Sequence, residues 1–406
     1  KKTAVDFCRS EGAMIIQRLL ETERKLITFG SRRFNHALPA KMKSWQARSF
    51  NGVDSVQMEE TRVPQLASAN EVLVKVHAAS VNPLDVAMLD GYGRNVIDVL
   101  RTLQYFPNNK ERFPMILGRD FSGEVVGVGH GVKEFRFGDE VWGATLAGRQ
   151  GSHAEYITVP ACIIAKKPKT KSHLESAALP YAALTAWAGI RTVGNLSRYT
   201  TQNKRCLVLG ASGGVGSFAV QLLKAWNGSV TATCSTGAAE MVSKLGADTV
   251  VDYTAPDFEA QLLHGPRFDF ILDCVGTHQG LSPTKLLHKG RLSTYVTVVS
   301  PVLRNTDNMG IFSGMALSAY QALQVTVKEL ADGRSARWAF FCPNANALKE
   351  ISELVDLGKV TPIVSSTFPF LEVPAAYHKM KEGHARGKIV ISVVEQEPPV
   401  QKHQKA

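Results

Sequence analysis

One stretch of the chain, LVLGASGGVGSFAVQLLKAW, constrains the fold more than any other. A run of apolar residues ends at Gly210, a turn of small residues follows, and a helical pattern begins near Gly214. The spacing Ala211-x-Gly213-x-x-Gly216 is typical of a turn that binds a dinucleotide, here with alanine at the first position. Small residues are required because the turn is tight and the backbone must approach a pyrophosphate at the helix N-terminus. The position between a strand and a helix favours this role over a purely structural glycine turn.

Strands and helices alternate around this turn. HLESAALPYAALTAWAGI precedes it as a predicted helix, and helical patterns such as AAEMVSKLG separate apolar runs that we interpret as strands: KRCLVLG, SVTATCS, TVVDY, FDFILDCVG and GRLSTYVTVV. Apolar strands separated by helices indicate a parallel sheet that is covered on both faces. The sequence therefore predicts an α/β Rossmann domain, with a doubly wound parallel sheet, over residues 176–343. Arg337–Cys342 is expected to add one more strand.

The residues before this domain follow a different pattern. Short strands bounded by glycine and proline are predicted from EVLVKVHAASVNP, GEVVGVG, GDEVWGA and SHAEYITVP, all within residues 44–175. This pattern is typical of a separate β-rich lobe. Residues 344–394 return to mixed elements and end in the strand GKIVISVV, and residues 395–406 are predicted to be a disordered tail.

The distribution of charge and cysteine excludes several classes of protein. Residues 1–43 carry ten basic and four acidic side chains, a net +6 of the total +11, so the rest is not a uniformly basic nucleic-acid binder. This segment, amphipathic and arginine-rich from Met14, is predicted to be a mitochondrial targeting segment; a solvated basic helix is the alternative. Six cysteines without a CxxC pair favour a reducing compartment over a disulfide framework.

The end of the predicted second strand bears on the choice between NAD and NADP. An NAD site usually has an acidic residue there, about 20 residues after the turn, which binds the ribose 2′-hydroxyl. This chain has Cys234, Ser235 and Thr236 instead, and the hydroxyls of Ser235 and of Tyr253 can donate to a 2′-phosphate. We therefore predict NADPH as the cofactor. Packing of an edge residue against a helix is the alternative role for Tyr253.

These motifs together resemble the zinc-free, quinone-oxidoreductase-like branch of the medium-chain dehydrogenase/reductase superfamily. AASVNPLDV, LPYAALTAW, LGASGGVG and LGADTVVDY fall in the family's order and spacing, and the match runs from about Trp45 to Val394. The resemblance implies a GroES-like lobe made from both ends of the chain, with the Rossmann domain inserted. It also implies an NADPH-dependent reductase of quinones or other conjugated carbonyls (enones), which is commonly a homodimer.

Three further strings, FPMILGRDFSG, RWAFF and GHARGKIVI, are similar to a mitochondrial subgroup of this branch. For that subgroup the resemblance implies a location in the matrix or at the outer membrane. It also implies a link to ubiquinone (coenzyme Q) biosynthesis and a reticulon-type membrane protein as a partner.

The resemblance assigns twelve residues to the cofactor. They match the pyrophosphate turn, the 2′-phosphate positions, the nicotinamide side and the C-terminal segment that closes on the cofactor: Ser212, Gly213, Gly214, Val215, Ser235, Tyr253, Val298, Ala339, Phe341, His384, Ala385 and Arg386. Judged alone, Phe341 also fits a core position, His384 a surface cap and Arg386 a solvated charge. Cys274 stands where relatives have asparagine, which leaves only a backbone contact to expect there.

The string FPMILGRDFSG concerns the acceptor side of the reaction, where related enzymes hold a catalytic metal. It places Arg119 and Asp120 where alcohol dehydrogenases of this superfamily have a histidine and a glutamate at the catalytic zinc, and Asn82 lies in the region of a zinc cysteine. Arginine cannot ligate a metal because it keeps its proton. We therefore expect no catalytic metal, and we interpret Arg119 and Asp120 as a structural ion pair or turn.

Reduction of a quinone or enone creates negative charge on oxygen, so a hydrogen-bond donor is required. Asn82 and Tyr92 are the best candidates, although Asn82 equally fits a role in its own proline turn and Tyr92 a packing role. Residues 94–112 either cover the substrate entrance or form a solvated insertion. An oxidoreductase is the favoured function, and an NADPH-binding scaffold or regulator with little turnover is the alternative.

Overall fold

The structure is a computed structural model that describes residues 38–105, 111–276, 282–290, 293–383 and 385–394. Most of the predicted targeting segment, the predicted tail and His384 lie outside the described residues. The strands are β1 (Lys41–Ala47), β2 (Val56–Arg62), β3 (Glu71–Val81), β4 (Met115–Ile116), β5 (Asp120–Val128), β6 (Glu140–Ala144), β7 (Tyr156–Pro160), β8 (Ile164–Lys166), β9 (Arg205–Leu209), β10 (Ser229–Cys234), β11 (Thr249–Asp252), β12 (Phe270–Asp273), β13 (Ser293–Thr297), β14 (Arg334–Trp338), β15 (Val364–Pro369) and β16 (Lys388–Ser392).

The α-helices of the described ranges connect and cover these strands. They are α1 (Pro83–Leu89), α2 (Arg94–Tyr105), α3 (His173–Ala177), α4 (Pro180–Trp187), α5 (Gly214–Ala225), α6 (Ala239–Lys244), α7 (Phe258–His264), α8 (Val302–Met309), α9 (Ile311–Ala331), α10 (Ala345–Asp356) and α11 (Val373–Lys381). Across these ranges every helix is too short or too polar to cross a bilayer.

Six parallel strands form the predicted Rossmann sheet, in the order β11-β10-β9-β12-β13-β14. This is the 3-2-1-4-5-6 order of dinucleotide-binding domains, in which the chain changes direction between the first and fourth strands. The central strands β9 and β12 are buried along nearly their whole length, as expected for a sheet covered on both faces. Ligands of such sheets bind outside the carboxyl ends of the strands.

The second lobe is β-rich and uses both ends of the chain. Its seven-stranded sheet has the order β15-β16-β3-β5-β6-β8, with β7 also paired to β3, and β2-β1-β4 form a smaller sheet. The late strand β16 pairs antiparallel with the early strand β3. β15 lies at an edge and alternates between half-buried and exposed residues. This arrangement is the GroES-like lobe that the resemblance implied.

Three elements differ from the sequence prediction. The last Rossmann strand spans Arg334–Trp338 instead of Arg337–Cys342, because its first residue pairs with the first residue of β13. The predicted helix before the phosphate turn is two helices, since a new helix begins at Pro180, whose ring nitrogen cannot donate a hydrogen bond. Strand β1 begins at Lys41, so the last residues of the segment 1–43 belong to the lobe.

Candidate active site

The turn that was predicted to bind pyrophosphate joins β9 to α5 at the carboxyl end of the sheet. Gly210 has a φ of 78°, which favours glycine, and a Cβ atom at Gly216 would overlap the Gly210 carbonyl. Gly213 differs, because a Cβ atom there would meet only the Gly210 carbonyl, at an ordinary contact distance of 3.8 Å, so the protein itself leaves room beside this residue. That space, at the N-terminus of the 12-residue helix α5, fits a pyrophosphate that accepts hydrogen bonds from N–H groups of the first turn.

The C-terminal segment crosses the cleft between the two lobes at this turn. The Gly387 amide donates to the Ser212 carbonyl at 3.0 Å, and Gly387 forms a β-bridge with Gly213. The next residue, Lys388, lies so close to Gly214 that its Cδ would be 2.9 Å from a Cβ atom there. The phosphate turn is thus in direct contact with the start of β16 in the other lobe.

The same segment brings a cation to the end of β10. The exposed Arg386 guanidinium lies so close to Gly237 that a Cβ atom there would collide with it. Burial raises the pKa of the Cys234 thiol, and the charge of Arg386 acts in the opposite direction. The Tyr253 amide donates to the Cys234 carbonyl at 3.1 Å, and its ring is exposed. Ser235, Tyr253 and Arg386 therefore lie around one strand end.

Asp252 is a residue at this place that the sequence reasoning missed. It ends β11, and its carboxylate accepts hydrogen bonds from the hydroxyls of Thr236 and Thr254. These bonds lower the pKa of Asp252. Its position opposite the end of β10 follows from the parallel register of β10 and β11, which pairs Cys234 with Asp252.

The predicted nicotinamide side lies at the carboxyl ends of β13 and β14. Val298 follows β13, and the buried Ala339 lies beyond β14 with its amide bonded to the Thr297 carbonyl at 2.9 Å. Phe341 stacks on Tyr181 from α4, with the ring centroids 4.3 Å apart. Cys274, after β12, is half-buried, and burial raises the pKa of its thiol.

The described cofactor candidates all lie near the carboxyl edge of the Rossmann sheet or on the segment that crosses it. Ala385 is half-buried and packs against the core of the GroES-like lobe. His384 lies outside the described residues.

A buried polar centre occupies the lobe side of the cleft. Asp120 is fully buried, and its Oδ2 accepts hydrogen bonds from Ser80 Oγ at 2.5 Å, Asn82 Nδ2 at 2.8 Å and Lys388 Nζ at 3.1 Å. Its Oδ1 accepts from the backbone N–H of Tyr181. Lys388 Nζ also donates to Asn82 Oδ1 at 2.5 Å. Elements of both lobes therefore converge on one carboxylate.

Arg119 and Asp120 do not pair with each other as expected but take different partners. The Arg119 Nε lies 3.3 Å from Asp85 Oδ1, and both side chains are almost completely buried. Arg119 Nη1 donates to the Leu146 carbonyl at 2.7 Å, and Nη2 has no partner among the described residues. Asp120 pairs with Lys388 instead. Asp120 begins strand β5 and Arg119 directly precedes it; side chains of neighbouring residues in an extended chain point to opposite faces, which accounts for the two separate ion pairs.

The segment after Tyr92 is a helix that bridges the lobes. The N-terminus of α2 is capped by Asp307 of α8, whose carboxylate accepts from the Gly93 amide at 2.5 Å and the Asn95 amide at 3.2 Å. The Asn95 side chain donates to the Thr306 carbonyl at 2.8 Å. Burial raises the pKa of the adjacent Tyr92. The described part of 94–112 is therefore anchored to the Rossmann domain and is not simply a solvated insertion.

Known proteins match this chain along nearly its whole length. The pattern described as an alcohol dehydrogenase GroES-like domain matches residues 68–169, and that of a zinc-binding dehydrogenase matches residues 245–391. A Bos taurus protein named NAD(P)H oxidoreductase RTN4IP1, mitochondrial, is 42% identical over 393 residues, 97% of this chain and 96% of that protein. The chain belongs to the quinone-oxidoreductase-like branch of the medium-chain dehydrogenase/reductase superfamily.

Further relatives and a solved structure support this family assignment. The Mus musculus protein of the same name is 47% identical over 354 residues, 87% of this chain and 89% of that protein. A Caenorhabditis elegans relative, named reticulon-4-interacting protein 1, mitochondrial, is 34% identical and covers 89% of this chain and 97% of its own length. The solved quinone oxidoreductase from Coxiella burnetii superposes with a TM-score of 0.71 at 27% identity, over 87% of this chain and 100% of that one.

These findings confirm the expected family, its two-lobed fold and the oxidoreductase class. The relatives are named as mitochondrial, which confirms the expected location in mitochondria. One matching pattern is described as zinc-binding, yet the described part of this chain groups no three His, Cys, Asp or Glu side chains where they could hold a metal.

Proposed function

We propose that this protein is an NADPH-dependent oxidoreductase that reduces a quinone or another conjugated carbonyl compound. The main observation behind this proposal is the path of residues 385–388. Arg386 lies at the end of β10, Gly387 on the phosphate turn, and the Lys388 ammonium between Asn82 and Asp120. A dinucleotide along this edge would have a cation at its adenosine end and a buried polar centre at the other.

Each part of the edge would have a separate task toward the cofactor, which supplies the hydride when bound. The N-terminus of α5 and the space beside Gly213 would accommodate the pyrophosphate. Val298 and Ala339 would flank the nicotinamide, with Cys274 in backbone contact. The stacked rings of Phe341 and Tyr181 would exclude water from that end of the cleft.

The preference for NADPH rests on the residues around the end of β10. Arg386 supplies the cation that a 2′-phosphate requires, and the hydroxyls of Ser235 and Tyr253 add donors. Asp252 keeps its negative charge, but the hydroxyls of Thr236 and Thr254 already occupy its oxygens, which leaves it less available to accept from a ribose 2′-hydroxyl. The balance at this strand end therefore favours a phosphate over a bare ribose hydroxyl.

The experiment is a turnover assay with purified protein in the presence of EDTA. NADPH or NADH is supplied with a panel of quinones and enones, and oxidation is followed at the cofactor's absorbance. We expect acceptor-dependent oxidation with a higher kcat/KM for NADPH. Tight NADPH binding without acceptor-dependent oxidation would instead support a scaffold or regulator.

The cellular role is a finer part of the proposal and follows from the family resemblance. In mitochondria, in the matrix or at the outer membrane, the acceptor would be a ubiquinone-type quinone or a precursor, which links the protein to ubiquinone biosynthesis. Cells without the protein should contain less ubiquinone, measured by mass spectrometry. A reticulon-type membrane protein is proposed as a partner because one relative carries that name.

A further inference from the structure

We infer that the Asn82 side chain donates the hydrogen bond to the acceptor oxygen, and that Lys388 is the positioning residue that orients and polarises it. The inference deepens the proposed function and rests on it. It assigns Asn82 and Lys388, two residues of the buried centre, to one step, the stabilisation of negative charge on the acceptor oxygen.

The orientation of the Asn82 amide is determined by its two charged neighbours. Lys388 Nζ lies 2.5 Å from Oδ1, and Asp120 Oδ2 lies 2.8 Å from Nδ2. An ammonium can only donate and a carboxylate can only accept, so the flipped amide would place donor against donor and acceptor against acceptor. The nitrogen of this amide is therefore on the Asp120 side.

One N–H of Asn82 is left for a ligand. The amide nitrogen carries two hydrogens, of which Asp120 accepts one, and no acceptor for the other is found in the part of the chain that the structure describes. The Asn82 side chain also takes part in a capping box with Asp85, but only as an acceptor. It accepts from the Asp85 backbone N–H, and the Asp85 carboxylate accepts from the Asn82 backbone N–H at 2.9 Å. The second N–H of the side chain is not used in this turn.

The surroundings strengthen this remaining donor. Asn82 is 3% exposed, and the side chains of Lys388 and Asp120 are 7% and 0% exposed, so their charges act in a medium of low dielectric constant. The ammonium at Oδ1 draws electron density from the amide, which offsets the opposite effect of the Asp120 carboxylate on the amide nitrogen and keeps the free N–H a good donor. A donor fixed before the reaction costs no reorganisation when charge develops.

The donor also lies in the right part of the cleft. The Lys388 stem passes Gly214 at the phosphate turn, and the carboxylate that holds Asn82 also accepts from the Tyr181 amide. Tyr181 in turn stacks on Phe341 at the predicted nicotinamide side. Asn82 is thus between the pyrophosphate turn and the nicotinamide end, where an acceptor must approach the cofactor.

A double-mutant cycle in the full chain tests both roles. Asn82→Ala should lower kcat for quinone reduction about 100-fold, the usual effect of removing one oxyanion donor, with little change in NADPH affinity. Lys388→Met should lower kcat at least about tenfold in the wild-type chain but add nothing in the Asn82→Ala chain, because Lys388 acts through Asn82. Ser44→Ala is the matched control, since it removes another fully buried serine hydroxyl of the same lobe, one that accepts from Gln46 outside this centre; its kcat should stay within about threefold.

Two further readouts separate this role from a structural one. The Kd for NADPH and the Tm are measured for every variant, together with the Kd of a non-reducible phenolic analogue of the acceptor. We expect Asn82→Ala to weaken the analogue more than NADPH. Additive losses in the cycle, or equal losses for Ser44→Ala, would overturn the inference. If the wild-type protein reduces no acceptor, the proposed function itself fails, and unchanged turnover in Asn82→Ala overturns only the inference.

Discussion

At the scale of single residues, cofactor choice depends on a small group of side chains at one strand end. Ser235 replaces the usual acidic residue. Arg386 lies about 150 residues later in the sequence than Ser235. Neighbouring sequence alone therefore indicates the missing carboxylate but not the cation. The preference for NADPH depends on both Ser235 and Arg386.

Changing either residue should alter the selectivity between the two cofactors. Ser235→Asp and Arg386→Ala should each weaken NADPH binding at least about tenfold, since one lost or repelled contact to the 2′-phosphate is worth about 1.4 kcal/mol. NADH affinity should change much less, because NADH has no 2′-phosphate. The two Kd values are measured by fluorescence titration, with Lys379→Ala, an exposed cation paired with Glu382, as the control. Equal losses for both cofactors would count against the assignment.

At the scale of secondary-structure elements, α3 begins at a histidine that is held neutral. The His173 ring lies against the His77 ring in a tilted arrangement, with the ring centroids 4.3 Å apart, and burial, together with His77, lowers the pKa of His173 to about 4. Glu140 at 3.0 Å favours the charged form, and Lys167 opposes it. Ser122 Oγ lies 2.8 Å from His173 Nδ1. The helix is thus joined to the lobe sheet through a neutral ring.

This histidine should make the fold sensitive to mild acid. Above pH 6.5 the ring is neutral in both states; below it, the unfolded chain binds a proton that folded His173 takes up only near pH 4. The free energy of unfolding should therefore fall by at most about 2 kcal/mol between pH 6.5 and pH 5 through this group. Urea unfolding at several pH values should show a smaller fall for His173→Gln. The same pH dependence in both chains would contradict this account.

The contact between α2 and α8 is the second feature at this scale. Asp307 caps α2 from the opposite lobe, next to Tyr92. Asp307→Ala should cost about 1 kcal/mol of stability, as loss of a helix cap usually does, and should raise KM for the acceptor more than KM for NADPH. Thermal unfolding and steady-state kinetics check the two parts. Asp98→Ala, on the same helix but paired with Arg112, is the control for helix stability alone. An unchanged KM for the acceptor in Asp307→Ala would exclude a role for this contact at the substrate entrance.

At the scale of the whole molecule, the two lobes are tied together at the cofactor edge. The Gly387–Ser212 hydrogen bond, the bond from the Tyr181 amide to Asp120 and the cap at Asp307 all join one lobe to the other. We propose residues 44–175 and 344–394 as the GroES-like lobe and 176–343 as the Rossmann domain, with the first boundary moved to include all of β1. A homodimer stays a prediction, which light scattering of the purified protein tests directly.

Much of this architecture was predictable because it follows from local patterns. The phosphate turn is contiguous in sequence, and the alternation of apolar runs with helical patterns predicted the parallel sheet of the Rossmann domain. The partners of Arg119 and Asp120 were not predictable, since Asp85 and Lys388 are 34 and 268 residues away by number. The cation at β10 and the cap at Asp307 were missed for the same physical reason. Contacts between residues far apart in sequence depend on tertiary packing and leave no periodic signal.

The most direct test of the central claim is transfer of deuterium from the cofactor to an acceptor. The protein is incubated with an enone and NADPH deuterated at C4, on one face or the other, and the product is analysed by mass spectrometry. We predict one deuterium per product molecule, from only one of the two labelled faces, in proportion to the NADPH oxidised. A product without deuterium, or no product despite bound NADPH, would contradict direct hydride transfer.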